Sequence, residues 1–79
     1  PAELMLVGKT VDEALAELDK TLDRAALAGK AELRVIHGHG TGRLRRAVRE
    51  FLARHPHVAA HRAGGANEGG DGATIVVLR

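Results

Sequence analysis

A short turn of alternating glycines and histidines has the residue types in this sequence that are best suited to chemistry. It reads HGHGTG, from His37 to Gly42, and it lies between an apolar strand-like run and an amphipathic helical run. Glycine has no Cβ, so the backbone here can adopt positive φ and approach a ligand closely. The first N–H groups of the next helix have no internal partner, and the helix dipole adds positive charge. The turn is therefore predicted to bind an anion, phosphate above all.

The predicted helix after this turn is rich in arginine. Arg43, Arg45 and Arg46 crowd its N-terminal end, where cations oppose the helix dipole and a sequence tuned for helix stability would place Asp or Glu. Arginine makes planar, forked contacts to phosphate, so this departure indicates function. The predicted binding residues are Gly38, His39, Gly40, Thr41, Gly42, Arg43, Arg45, Arg46 and Arg49.

Other interpretations of the turn and the helix stay open from the residues alone. The turn can simply require glycines, and the arginines can form a solvated face without a partner. A nucleotide-cofactor site is a third interpretation, although no Lys follows the glycines and Gly42 comes one position too early for G-x-G-x-x-G. Phe51 is the single aromatic residue and belongs to the predicted core, so base stacking is not expected. We expect contacts to backbone phosphates, with low sequence specificity and salt-dependent affinity.

The two histidines of the turn are predicted catalytic residues for phosphodiester cleavage, because imidazole titrates near neutral pH. In this role His37 or His39 would move protons while the turn amides stabilise the phosphate charge. The alternative for His37 is a strand-end histidine that bonds to the backbone. A metal held by both histidines would need a third ligand that no spacing demands, so we predict no metal site. The residues considered for that third ligand are His61, Asp71 and Asp12.

The rest of the chain predicts the elements that position this turn. Thr10 and Glu13 form a capping box that begins the first helix, and Gly29 is a left-handed stop after it. The predicted strands are Glu3–Val7, Glu32–His37, His57–Arg62 and Ala73–Leu78, and the second helix is Gly42–Arg54. This β-α-β-α-β-β order predicts the α/β class, an α+β sandwich with a four-stranded mixed sheet and two helices on one face. The glycine-rich loop 63–72 has no assigned role.

Charge is distributed unevenly along the 79 residues. Residues 1–36 carry five Lys/Arg and seven Asp/Glu, whereas residues 37–79 carry seven Arg and three Asp/Glu. This asymmetry predicts an anionic partner for one face. The length suits one domain, and the absence of Cys excludes disulfides and thiolate metal sites. With no signal-peptide pattern and no apolar run near the length of a membrane span, we expect a cytoplasmic domain without a membrane partner. Because the chain opens with Pro1 rather than Met, we expect a fragment of a longer protein.

Three segments resemble one known family. HGHGTGRLRRAVREFL, residues 37–52, is similar to the HGxGTGxLRxAVxxxL segment of the Smr (small MutS-related) domain. TVDEALAELD, residues 10–19, resembles the family's first helix, and NEGGDGATIVV, residues 67–77, resembles its GEGGDGAT-like ending. The resemblance covers nearly the whole chain and is best to the C-terminal Smr domain of the second class of bacterial MutS proteins. Those proteins join a MutS-like ATPase to this small domain.

The resemblance implies a fold like the C-terminal domain of bacterial translation initiation factor 3. It implies binding to DNA, often to branched or recombination intermediates, nicking endonuclease activity as in several members, and a role in DNA repair and recombination. Some Smr proteins act instead on RNA at stalled ribosomes. The resemblance implies no intrinsic cofactor. Cleavage would use a divalent cation, Mg²⁺ or Mn²⁺. ATP would act only through the attached MutS-like domain. The turn glycines and Arg43 fall on the family motif, so binding carries over to them.

One departure from the family pattern affects the expected chemistry. The family's first strand usually carries an LDLR or LDLH motif, whose Asp and following basic residue are linked to cleavage. Here the segment reads LMLVG, with Met5 in place of the Asp and Val7 in place of the basic residue. The predicted function is a DNA-binding and nicking endonuclease domain. A non-catalytic nucleic-acid-binding module and an RNA- or ribosome-directed module are the alternatives, and whether the domain is an enzyme stays open.

Overall fold

The computed structural model describes residues 2–79 and forms one four-stranded mixed sheet with two helices. The elements are β1 (Ala2–Met5), α1 (Val11–Leu27), β2 (Glu32–Ile36), α2 (Arg43–Arg54), β3 (Val58–Ala63), a 3₁₀ turn (Gly70–Gly72) and β4 (Ala73–Leu78). The strand order is β1-β2-β4-β3. β1 runs parallel to β2, and β4 runs antiparallel to both of its neighbours. The predicted fold class, with its four-stranded mixed sheet and two helices, is confirmed.

Both helices cover the same face of the sheet. Every second residue of the strands points at them, so that Leu33 and Val35 of β2 are buried against the helices. The residues that complete this core are Leu4, Leu6, Ala14, Leu18, Leu22, Ala25, Val48, Leu52, Val58, Val76 and Leu78. Aliphatic burial is the main stabilising contribution, since Phe51 is only half-buried at the edge of the core. Within residues 2–79, neither helix combines the length and apolar character that a membrane-spanning helix needs.

The capping signals of α1 are confirmed. Thr10 Oγ1 accepts a hydrogen bond from the Glu13 amide at 3.2 Å, and a Glu13 carboxylate oxygen accepts from the Thr10 amide at 3.0 Å. These bonds lower the pKa of Glu13. Gly29 has a φ of +69° and follows the C-cap Ala28, so the left-handed stop lies directly after the C-cap.

Two predicted strands end too late. β1 was expected to reach Val7 and ends at Met5, because the Lys9 amide donates to the Leu6 carbonyl and turns the chain. β2 was expected to include His37 and ends at Ile36, because the next partner in register, Gly72, belongs to the 3₁₀ turn and its carbonyl accepts from the amides of both His37 and Gly38. In both cases the end of the strand is set by a loop hydrogen bond that the sequence pattern does not reveal.

The third strand is displaced by one residue. It spans Val58–Ala63 instead of the predicted 57–62, and a register irregularity lies between Val58 and Ala60. β4 is an interior strand, and its residues Ala73–Val76 are all buried, as expected for a strand covered on both faces. On the face away from the helices, Ile75 pairs in register with Arg34 on one side and with Arg62 on the other.

Candidate nucleic-acid interface

The glycine turn, His37–Gly42, faces the loop after β1 across a cleft. The cleft has a volume of about 640 Å³. Gly38 and Val7 bring its two sides into contact, since a Cβ added to Gly38 would lie 3.3 Å from Val7 Cγ2. Gly38 also has a φ of +82°, which side-chain-bearing residues rarely adopt. The cleft is lined by residues 7–12 and 37–44.

The N-terminus of α2 opens onto this cleft without a side-chain cap. Its N-cap is Gly42, with a φ of +84°, and no acidic residue lies in the first helical turn. Thr41 Oγ1 accepts from the Arg43 amide at a long distance of 3.3 Å. Arg43 and Leu44 both line the cleft. The positive end of the helix dipole is therefore available to an anion, as the sequence predicts.

Two arginine side chains converge on the same helix end. A Cβ added to Gly42 would lie 2.8 Å from Arg45 Nη2 and 3.2 Å from Arg46 Nη1. Two guanidinium groups thus lie beside Gly42, where the uncapped amides begin. Arg49, one turn further along α2, is fixed by other contacts, and its side chain is 28% exposed. The structure brings Arg45, Arg46 and Arg49 together with the turn, whereas the exposed Arg43 lies at the mouth of the cleft.

His37 points into the protein rather than into the cleft. It is 4% exposed, and both of its ring nitrogens have hydrogen-bond partners. Arg49 Nε can only donate, and it donates to Thr74 Oγ1 at 3.1 Å. The Thr74 hydroxyl then donates to His37 Nε2 at 2.8 Å. The proton of the neutral imidazole is therefore on Nδ1, which donates to the carbonyl of Gly38 at 3.0 Å.

This network keeps His37 neutral. Burial lowers the pKa of His37, the bond to the Gly38 carbonyl opposes that change, and the positive charges of Arg49 and Arg45 lower the pKa further. A buried neutral imidazole with two engaged nitrogens holds the turn in place. It has no free lone pair or proton for a ligand in the cleft. The interpretation of His37 as a strand-end histidine bonded to the backbone agrees with this geometry.

His39 is exposed and lies on the outer side of the turn. Its ring packs against the backbone of the 3₁₀ turn, since a Cβ added to Gly72 would lie 2.8 Å from His39 Nε2. The structure thus divides the two predicted catalytic histidines between the interior and the surface. Of the two, His39 is the imidazole that a bound phosphodiester can reach.

At the end of β1 the opposite wall of the cleft is apolar where the family pattern carries charge, and Lys9 and Asp12 line this wall further along the chain. Val7 lines the cleft and is 54% exposed. Met5 is also 54% exposed, and it pairs with Ile36 on the sheet face that the helices leave open. Neither side chain can accept or donate a proton.

A separate cluster of potential metal ligands lies away from the turn. Among residues 2–79, one group of three such side chains comes together, with ligand atoms of Asp19, Asp23 and His55 within 4.8 Å of one another. His55 Nδ1 accepts from the His57 amide at 3.2 Å, so its Nε2 carries the proton and donates to Asp19 at 2.8 Å. An Nε2 that donates has no lone pair for a metal, and the contact instead joins the end of α2 to α1. The third ligands considered for His37 and His39 do not meet them in a group of this kind in that part of the chain.

Sequence reasoning missed Thr74, and it considered Asp71 as a metal ligand rather than as a partner of the arginines. Thr74 is fully buried and links His37 to Arg49. Asp71 Oδ2 accepts from Arg45 Nη1 at 2.8 Å, and its Oδ1 lies 3.5 Å from Arg49 Nη2. Both residues belong to the GGDGAT segment, which the sequence marked as a family-like ending without giving these residues a contact.

Comparison with known proteins places the whole chain in one family. The model of the Smr domain matches residues 4–79. The chain is 54% identical over 77 residues to the endonuclease MutS2 of Halalkalibacterium halodurans and 52% identical over 77 residues to that of Symbiobacterium thermophilum. These alignments cover 98% of this chain and 10% of each relative, so the chain spans about a tenth of the length of these relatives.

Two solved structures have the same fold. The Smr domain of Thermus thermophilus MutS2 superimposes with a TM-score of 0.97 at 46% identity, over 100% of this chain and 99% of that one. YdaL, a stand-alone small MutS-related protein from Escherichia coli, superimposes with a TM-score of 0.92 at 27% identity, over 99% of this chain and 64% of that one. The glycine turn, the arginine-rich helix and these matches agree: the chain belongs to the Smr domain family.

Proposed function

We propose that this domain binds DNA through its backbone phosphates, at the cleft beside the N-terminus of α2. The observation that carries the proposal is the convergence of the Arg45 and Arg46 guanidinium groups on Gly42, at a helix end without a side-chain cap. Guanidinium forks and free backbone amides are both phosphate ligands. The exposed Arg43 and His39 extend this positive surface along the cleft.

Binding of this kind reads the shape and charge of the backbone rather than base sequence. The charge-bearing groups of the site are arginines and amides, and no aromatic side chain lines the cleft for base stacking. We therefore expect low sequence specificity and a DNA affinity that falls steeply as the salt concentration rises. Branched DNA and recombination intermediates are the proposed substrates, because they present closely spaced phosphate backbones to one small surface.

Nicking of the bound strand is a second candidate function. The relatives are named endonuclease MutS2, and the exposed His39 lies on the glycine turn. In a hydrolytic cut, a water oxygen attacks phosphorus and the bond to the leaving sugar oxygen breaks. His39 would take the proton of the water or protonate the leaving oxygen, while the turn amides and arginines stabilise the negative charge of the phosphorane. His37 would support this step by holding the turn.

The apolar residues at the end of β1 favour DNA binding over DNA cleavage as the function. Val7 and Met5 supply no acid, base or charge at the end of β1, so cleavage has one accessible imidazole and no second proton-transferring group from that strand. We therefore place DNA binding first. Any divalent cation, Mg²⁺ or Mn²⁺, would be a cofactor of the cleavage reaction and not of binding.

The test combines a binding assay with a cleavage assay on the same purified domain. Fluorescence anisotropy compares a duplex, a four-way junction and an RNA hairpin at matched length and at several salt concentrations. Salt-dependent binding with preference for the junction supports the proposal. Preference for RNA favours the ribosome-directed alternative, and absence of binding to all three contradicts the proposal. Supercoiled plasmid incubated with Mg²⁺, Mn²⁺ or EDTA then decides on nicking, with His39→Ala as the matched variant.

We also propose that this chain is part of a longer MutS-like protein. The relatives are about ten times longer than the segment they share with this chain, which supports an attached ATPase domain. ATP would then act on DNA only through that attached domain. In that setting the small domain would hold DNA intermediates during repair and recombination in the cytoplasm.

A further inference from the structure

Asp71 is an acidic residue inside the proposed anion site, and its place is fixed by the backbone. It belongs to the 3₁₀ turn, which Gly69 and Gly70 shape with φ values of +94° and +57°. The next carbonyl, that of Gly72, accepts from the amides of His37 at 3.1 Å and Gly38 at 2.9 Å. The backbone of Asp71 is therefore held next to the glycine turn.

The Asp71 carboxylate contacts two arginines that are one helical turn apart. Its Oδ2 accepts from Arg45 Nη1 at 2.8 Å, and its Oδ1 lies 3.5 Å from Arg49 Nη2. Arg49 makes a second contact, in which its Nε donates to Oγ1 of the buried Thr74 at 3.1 Å. The other terminal nitrogen of Arg45 lies beside Gly42 at the end of α2. Arg45 thus bridges Asp71 and the helix N-terminus.

We propose that Asp71 is a positioning residue, whose carboxylate holds Arg45 and Arg49 as a fixed pair that receives a nucleic-acid phosphate. Two adjacent guanidinium groups repel one another, and each long side chain loses rotamer freedom when it is ordered. A carboxylate between them offsets the repulsion and orders both side chains before the ligand binds. This lowers the free-energy cost of binding. Each arginine has five N–H donors, so most of them stay available for phosphate oxygens. This inference rests on the proposed function.

The opposite role for Asp71 is competition with phosphate, because its side chain is 58% exposed and negatively charged. A competing carboxylate has to withdraw when the ligand binds. Withdrawal would break the contacts of the Asp71 carboxylate with Arg45 at 2.8 Å and with Arg49 at 3.5 Å. A positioning group keeps these contacts in the bound state, whereas a competing group gives them up. The two roles predict opposite signs for the effect of removing its charge.

The experiment compares Asp71→Asn with Glu50→Gln. Both changes replace a carboxylate with its amide and raise the net charge by one, but the exposed Glu50 lies on α2 outside this network. In anisotropy titrations with a DNA duplex, we expect Asp71→Asn to weaken binding by about 3- to 10-fold. Glu50→Gln is expected to leave binding unchanged or to tighten it slightly. Asp71→Glu, which keeps the carboxylate, is expected to restore part of the lost affinity.

A second measurement needs no DNA. ¹⁵N relaxation of the Nε–H groups reports the order of the arginine side chains, and we expect Arg45 to become mobile in Asp71→Asn and to stay ordered in Glu50→Gln. Binding by Asp71→Asn that equals or exceeds that of Glu50→Gln would overturn the inference, and so would an Arg45 that stays ordered. If the wild-type domain binds no nucleic acid, the proposed function fails, and the relaxation data still decide whether Asp71 orders the arginines.

Discussion

The two walls of the cleft differ in the groups that they present to a ligand. One wall, formed by the glycine turn and α2, carries arginines, free amides and a satisfied buried network. The other wall begins at the end of β1 with Val7 next to the turn and continues with Lys9 and Asp12. Met5 lies outside the cleft, on the open sheet face. We therefore expect phosphate binding and proton transfer to be separable, because the groups proposed for them belong to different elements.

Removal of the arginines is expected to have the largest effect. Arg45, Arg46 and Arg49 together changed to Ala should weaken DNA binding by about 100- to 1,000-fold, since each supplies charge-assisted contacts to phosphate. The slope of log affinity against log salt should become flatter by about 2.7, roughly 0.9 for each lost contact. The matched control changes Lys20, Arg24 and Lys30 to Ala, which removes the same charge from the exposed side of α1 and its following loop. If both triple variants lose the same DNA affinity, binding depends on net charge and not on the position of these arginines.

A charged pair at the end of β1 tests the other wall. Met5→Asp combined with Val7→Arg should raise the rate of plasmid nicking by about 100-fold over the wild-type domain, because general acid–base groups contribute about that much. Leu27→Asp with Ala28→Arg is the control, since it also adds one charge of each sign and both positions are exposed at the C-terminal end of α1. Junction binding should be unchanged in both. A double variant that binds DNA and nicks no faster would show that the apolar wall is not what limits cleavage.

The network behind the turn connects the stability of the fold with the site. Thr74→Val removes a buried hydroxyl and leaves His37 Nε2 and Arg49 Nε each without a partner, so the free energy of unfolding should fall by about 1–3 kcal/mol. Thr21→Val is the control, because its hydroxyl makes one bond to the Glu17 carbonyl within α1. Urea unfolding measures both. If the two valine variants lose the same stability, the network contributes no more than a single helix-surface bond.

Lowering the pH should destabilise the same network, and this is the smallest of the expected effects. Burial lowers the pKa of His37, so its neutral form belongs to the folded state. Its stabilising contribution is complete above the unfolded pKa of about 6.5 and is lost as pH falls through the lower folded pKa. Melting temperatures measured from pH 8 to pH 4 should therefore fall more steeply for the wild type than for His37→Asn. His61→Asn, on a neighbouring strand, should keep the wild-type pH profile, and a parallel profile for His37→Asn would contradict the prediction.

The sequence predicted the fold better than it predicted the site. Apolar periodicity, the Thr10–Glu13 capping box and the glycine stops are local signals, and they placed every helix and strand of residues 2–79 to within two residues. The site contacts are not local. His37 lies 37 residues from Thr74, and Arg45 lies 26 residues from Asp71. The alternation of Leu33 and Val35 points His37 inward, but the partner that it meets there, Thr74, depends on the packing of β4 against β2, which no periodicity reveals.

The position of β4 has a consequence for the order of folding. This strand follows every other element in the chain, yet it lies between β2 and β3 in the sheet. Until it inserts, β2 has only β1 as a neighbour, β3 has none, and Thr74, Asp71 and the Gly72 carbonyl are missing from the turn. Pairing across such long sequence separations is slow. We therefore expect the proposed phosphate site at the glycine turn to form only after β4 has inserted, so a chain that has folded only partly should bind no DNA.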